Sequence, residues 1–153
     1  MGLNAGNQDL HHNVEVRRVI APVAVGANAT KTGKIIDRSG FGGVEFIASY
    51  GAVTTTGSIV TLVAFEGDVT GTMTSVADAD LLGTEALASL LAATPRASGT
   101  TKNVSKTLGY KGSKRYVRVD AVGTGVTSVG CVSVEAVLFN PSIAPTNSPS
   151  TSQ

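Results

Sequence analysis

Residues 115–122 alternate strictly, with Tyr116, Arg118 and Asp120 on one side and Val117, Val119 and Ala121 on the other. A period of two is the signature of an extended strand with one buried face, and a helix cannot satisfy it. The pattern returns at residues 44–50, where Val44, Phe46 and Ala48 oppose Glu45, Ile47 and Ser49. It returns again at 129–139, where Val132, Val134, Ala136 and Leu138 oppose Ser133, Glu135 and Val137. Residues 58–65 form a mostly apolar run of strand length. Turns separate these runs, and the chain spends 18 glycines largely on them. Short strands at regular spacing, rich in β-branched residues, predict an all-β protein, a β-sandwich or jelly-roll-like fold.

Weaker signals fill the intervals. Residues 14–21 start a strand in which Val14, Val16 and Arg18 alternate with Glu15 and Arg17. Pro22 then makes it an edge strand or ends it, because proline cannot donate to a ladder. Residues 26–33 read as a turn, 34–37 as a short strand, and 39–43 as a glycine-rich turn around Phe41. Residues 69–76 and 103–108 read as further short strands, and 110–112 as a turn. One helix is expected, at 84–93. Thr84 caps it, Glu85 suits its first turn, Leu87, Leu90 and Leu91 share a face, and Thr94-Pro95 stops it.

The flanks differ from the middle. Residues 1–13 are polar and read as an extended N-terminal arm. Residues 141–153 are a Pro/Ser-rich C-terminal tail with no core of their own. The 153 residues therefore divide into an arm (1–13), a β-sandwich domain (14–140) and a tail (141–153). No signal peptide is visible at the start, and no apolar run reaches the roughly 20 residues that span a bilayer. Synthesis in a cytoplasm and no membrane partner are the expectations.

Little in the sequence points to catalysis. His11 and His12 are adjacent in the arm, where an extended chain would point them opposite ways. The single Cys131 lies in an alternating run with no histidine nearby, which reads as a small buried hydrophobe rather than a nucleophile. Glu66, Asp68, Asp78 and Asp80 are expected to fall in loops. They lack the spacing of a calcium loop and the aromatic platforms of a glycosidase site. The segment 40–43 has neither the lysine nor the following helix of a phosphate loop. The chain is expected not to be an enzyme and to need no metal or other cofactor.

Charged residues are 15% of the chain, below the roughly 25% of ordinary soluble domains, so part of the surface is expected to be covered by a partner. The net charge of +1 gives no general steering toward nucleic acid. One local exception is Tyr110-Lys111-Gly112-Ser113-Lys114-Arg115-Tyr116-Val117-Arg118, which joins four cations to two tyrosines. It reads as a basic turn leading into a core strand, or as a protein interface rich in Arg and Tyr, ahead of a nucleic-acid contact.

That segment, extended to Gly109 and Val119, resembles a strand of small head proteins of tailed phages. The stretch Val76-Ala77-Asp78-Ala79-Asp80-Leu81-Leu82-Gly83 and the strand–loop–strand pattern of residues 46–60 share the resemblance, which covers roughly residues 35–139. It implies a capsid decoration, cement or minor head protein on the virion surface, with no catalytic residues to carry over. The implied partners are the major capsid protein and further copies of this chain, as a dimer or trimer. Nucleic acid is not expected as a partner. Leu3, Leu10, His11, His12, Phe41, Tyr110, Lys114, Arg115 and Ile143 are the candidate partner-binding residues. The alternatives are a head–tail joining or tail component, and a carbohydrate-binding virion module, which the absence of tryptophan disfavours.

Overall fold

In the computed structural model, the residues described are 10–25, 28–52, 59–90, 103–125 and 130–143. They form ten strands: β1 (Val14–Val25), β2 (Thr30–Lys31), β3 (Ile36–Asp37), β4 (Phe41–Tyr50), β5 (Ile59–Val69), β6 (Thr72–Ser75), β7 (Leu81–Leu82), β8 (Val104–Tyr110), β9 (Tyr116–Thr124) and β10 (Gly130–Pro141). A short helix, α1 (Glu85–Ala88), lies between β7 and β8.

Two antiparallel sheets face each other, the first in the order β1-β10-β4-β8-β7 and the second β2-β9-β5-β6. β3 also pairs with β9, continuing the edge that β2 begins. With β2 and β3 taken as one interrupted strand and β7 as a small addition to β8, eight strands remain. Numbered in chain order, they lie 1-8-3-6 over 2-7-4-5, so first pairs with last and each pair nests inside the previous one. This is the double Greek key of a jelly roll, which settles the choice between that topology and other sandwiches.

The core is what the alternation predicts. Val44, Phe46, Ala48 and Tyr50 from β4 meet Val132, Val134, Ala136 and Leu138 from β10. Leu62, Ala64, Val117, Val119 and Ala121 pack from the opposite sheet, all at most 3% exposed. The glycine between Ser39 and Phe41 has φ +85°, the left-handed angle its tight turn into β4 needs.

Several expectations need correction. The helix is four residues long rather than ten. Thr84 caps it as expected, accepting from the Leu87 amide at 3.1 Å, but the chain turns extended at Ser89. Leu87 is 69% exposed and Leu90 is 2% exposed, so they do not share a face; Leu91 lies outside the described residues. Residues 85–90 instead seal the part of β5 that β6 does not reach. Val60 and Leu90 exchange backbone hydrogen bonds at 2.9 and 2.8 Å. The Leu62 amide donates to Ser89 Oγ at 2.8 Å and the Ala64 amide to Glu85 Oε1 at 2.5 Å. An open sheet edge is thereby covered by side-chain acceptors where no strand is available. The expected turns also shrink: β2 lies inside 26–33, β4 begins at Phe41, and Tyr110 ends β8.

Candidate partner-binding surfaces

The basic segment between β8 and β9 is built inward. Tyr110 is 1% exposed, so its ring lies inside the sandwich rather than toward a partner. Its hydroxyl donates to the Glu66 carboxylate on β5 and accepts from the Lys114 amide at 3.0 Å. The Arg38 guanidinium lies 5.2 Å from the Tyr110 ring centroid. It donates to the carbonyls of Lys114 and Gly112, both at 2.5 Å, and of Gly42 at 3.4 Å. One guanidinium thus fixes the whole β8–β9 loop. A side chain at position 112 would collide with the Tyr110 phenol, which explains the glycine there.

Three of the four cations of this segment are paired with carboxylates. Lys114 Nζ lies 2.6 Å from Asp68, and Arg115 Nη2 2.6 Å from Asp37. The Arg115 guanidinium holds the Asp37 carboxyl below its usual range. Arg118 Nη2 donates to Asp120 at 3.0 Å; its Nε is 2.9 Å from the other carboxylate oxygen but too bent to count as a hydrogen bond. Asp120, 6% exposed, also accepts from the Gly33 amide at 3.0 Å. Paired in this way, the segment offers phosphates little free charge.

The other candidates scatter. Leu10 is 71% exposed and Ile143 83%. Phe41 is half-buried against the core, and Leu3 lies outside the described residues. His11 and His12 sit in a turn in which the Asn13 amide donates to the Leu10 carbonyl at 3.2 Å. Their rings meet edge-to-face with centroids 5.0 Å apart, not splayed as an extended chain would hold them. Among the described residues no three metal-ligating side chains come together. Cys131 is exposed, contrary to the expectation of burial. Val132 and Val134 face the core, so strand parity turns Cys131 outward.

The sequence did not single out the surface with the most unusual chemistry. In β1, Val14 pairs with Phe139 and Val16 with Val137. Directly opposed residues share a face. Val137 and Phe139 point away from the core, since Ala136 and Leu138 are 0% exposed. Val14 and Val16 are therefore on the outside, while Glu15 and Arg17 turn toward the gap between the sheets. There Arg17 pairs with Glu15 at 2.7 Å and donates to the Asp37 carbonyl at 2.7 Å. The start of β1 thus turns apolar side chains outward and charged ones inward. Val16 is 50% and Phe139 37% exposed. The Phe139 ring covers Gly43, where any side chain would displace it.

No family model matches the chain, and no curated protein matches it. Among solved structures it is similar to the PBSX exported protein XepA, with 18% identity and a TM-score of 0.52. That likeness covers 95% of this chain but 43% of XepA, so the chain spans less than half of that protein's length. It is also similar to a protein of Bacillus endospore appendages described as disulfide-linked pili, at 16% identity and TM-score 0.44, covering 92% of this chain and 97% of that one. A third likeness is to the structure of infectious bursal disease virus, Gx strain, at 10% identity and TM-score 0.46, covering 89% of this chain and 33% of that one. At such identities the likeness to XepA is one of fold.

Proposed function

We propose that this chain is a virion structural protein, a decoration or cement protein that stabilises a phage head by bridging major capsid subunits. The observation that carries the reading is the outward apolar strip of Val14, Val16, Val137 and Phe139. Such a strip costs solubility unless a partner covers it, and interface cores are where aromatic and aliphatic residues gather. The jelly roll supports the reading without selecting it, because capsid, lectin and other domains share that architecture. A stable contact buries at least about 1,000 Å², more than the strip alone provides, so neighbouring surface must take part. The fold supplies rigidity, and repetition on a shell multiplies modest contacts.

Co-sedimentation with empty capsid shells tests this. Wild-type chain should bind saturably, and a Val16→Glu/Phe139→Glu variant should not. Failure of the wild type to bind shells would reject the reading; glycan binding in its place would move the chain to the carbohydrate-binding class.

A further inference from the structure

A groove of about 360 Å³ lies between the second half of β1 and the segment from β2 to Lys34. Val19, Ile20 and Val23 give it an apolar floor, and Arg18, Lys31 and Lys34 stand around it. Among the described residues, Arg17, Lys114, Arg115 and Arg118 are paired with carboxylates. Arg38 and Lys106 are bonded to carbonyls. The three cations at the groove share in none of these interactions. Even Glu135, opposite Arg18 in the ladder, forms no ion pair with it. Three cations without an ion pair among the described residues, around an apolar floor, suit an acidic segment that also carries an aliphatic side chain. Among the described residues no aromatic side chain lines the groove, so it lacks the stacking surface that single-stranded nucleic acid uses.

The same chain presents such a segment on its opposite edge. β1 and β2 form one edge of the two sheets, and β7 and β6 form the other. Four strand spacings of about 4.8 Å put roughly 19 Å between β1 and β7. On that far edge Asp78 to Asp80 make a single 3-10 turn between β6 and β7. Asp78 is exposed, Asp80 is partly so, and Leu82 just beyond is 50% exposed. Neither carboxylate has an ion pair among the described residues. One cation, Lys111, is nearby through its amide, which donates to the Asp80 carbonyl at 2.9 Å.

We propose that the Asp78–Leu82 turn of one copy docks in the Arg18/Lys31/Lys34 groove of the next, joining copies of this chain head to tail. The inference deepens the reading of the chain as an assembly subunit by naming the contact between copies. Donor and acceptor surfaces lie on opposite edges of one molecule, so the contact is heterologous: it propagates into chains, or closes into a ring if the rotation allows. Exposed ion pairs contribute little singly and are screened by salt. The contact is therefore weak in solution and favoured at low ionic strength.

The test is sedimentation velocity on the full chain over a concentration series, at about 50 mM and about 500 mM salt. The expected result is reversible association at low salt that weakens about tenfold or more at high salt. A turn variant, Asp78→Lys/Asp80→Lys, should be monomeric, and so should a groove variant, Arg18→Glu/Lys31→Glu/Lys34→Glu. Mixing the two variants should restore association, because each supplies a complementary pair of surfaces. The milder Asp78→Asn/Asp80→Asn serves if the charge reversal disturbs the fold, and should weaken association in the same direction. A wild type that stays monomeric, variants that associate as the wild type does, or a mixture that stays monomeric would each overturn the proposal. So would capture of an oligonucleotide by the groove in place of a second copy. Shell binding is measured separately. A monomeric chain that still co-sediments with shells sinks this contact alone, whereas self-association without shell binding sinks only the cement reading.

Discussion

The Tyr110 hydroxyl on β8 donates to the Glu66 carboxylate on β5, a hydrogen bond that crosses from one sheet to the other. The same oxygen accepts from the Lys114 amide, so it serves both sheets and the loop between β8 and β9. Tyr110→Phe keeps the ring but leaves a half-buried carboxylate and an amide without this partner. The expected loss is about 1–3 kcal/mol of unfolding free energy. Urea denaturation followed by circular dichroism measures it, and an unchanged midpoint would show that water replaces the phenol freely.

Stability should also fall in alkali. Burial pushes the phenols of Tyr50 and Tyr110 above the ordinary tyrosine range, and for Tyr110 the neighbouring Glu66 adds to the effect. A tyrosine in the unfolded chain titrates near about 10. The fold thus holds protons that the unfolded chain releases, so the contribution is intact below about pH 10 and is lost as pH rises above it. Melting temperatures between pH 8 and pH 11 should drop for the wild type and drop less for Tyr50→Phe and Tyr110→Phe. Parallel curves for all three would assign the alkaline loss to other groups.

Arg38 and Lys114 are both cations of one corner, yet they should behave differently. Arg38 donates to two carbonyls of the β8–β9 loop and lies against the Tyr110 ring. Arg38→Ala should cost about 2 kcal/mol, and Arg38→Lys should recover little of it, since an ammonium cannot present the same planar fork. Lys114→Ala removes a solvent-exposed pair with Asp68 and should leave the midpoint within error. Equal effects in a denaturation series would contradict the assignment of Arg38 as the loop's anchor.

Asp120 sits almost out of solvent between the Arg118 guanidinium and the Gly33 amide. Asp120→Ala strands both and should cost about 3 kcal/mol. Asp120→Asn retains an acceptor for Gly33 and should cost less. Gly33→Ala should also destabilise, because a methyl there runs into the Val119 carbonyl. Thermal unfolding of the three variants ranks them; an asparagine as harmful as alanine would mean that the charge, rather than the amide contact, is what matters.

Cys131 should react with a thiol reagent such as dithionitrobenzoate in the native chain, at a rate close to that in urea, because it is exposed on β10. A strong slowing under native conditions would place the sulfur inside.

The long strands were legible because each buries one face continuously, so β4, β9 and β10 carry their own parity. The start of β1 was not. Its register shifts between Arg18 and Ile20, and again between Ile20 and Val23 around Pro22, so Val19 and Ile20 are both buried and the earlier residues fall on the opposite face. Pro22 was correctly a mark of an edge. The two-residue strands β2, β3 and β7 are too short to show any period; pairing with β9 or β8 defines them. The leucine spacing at 87–91 looked helical, but Leu90 gains more by bridging to Val60 on an uncovered edge than by extending a helix. The groove cations were invisible as a group, since Arg18 and Lys31 lie on different strands that only the fold brings together.

The nesting of strands has a mechanical consequence. Val14 at the start of β1 is paired with Phe139 near the end of β10, so both ends of the sandwich domain leave from one corner. A force pulling those ends apart would load the ladder at its terminal rung and open it one hydrogen bond at a time, as a zip opens. A force entering through the broad faces would be shared by every rung in parallel. A domain of this topology is compliant at its ends and stiff across its sheets, so load is best carried through the faces, with the ends left to yield.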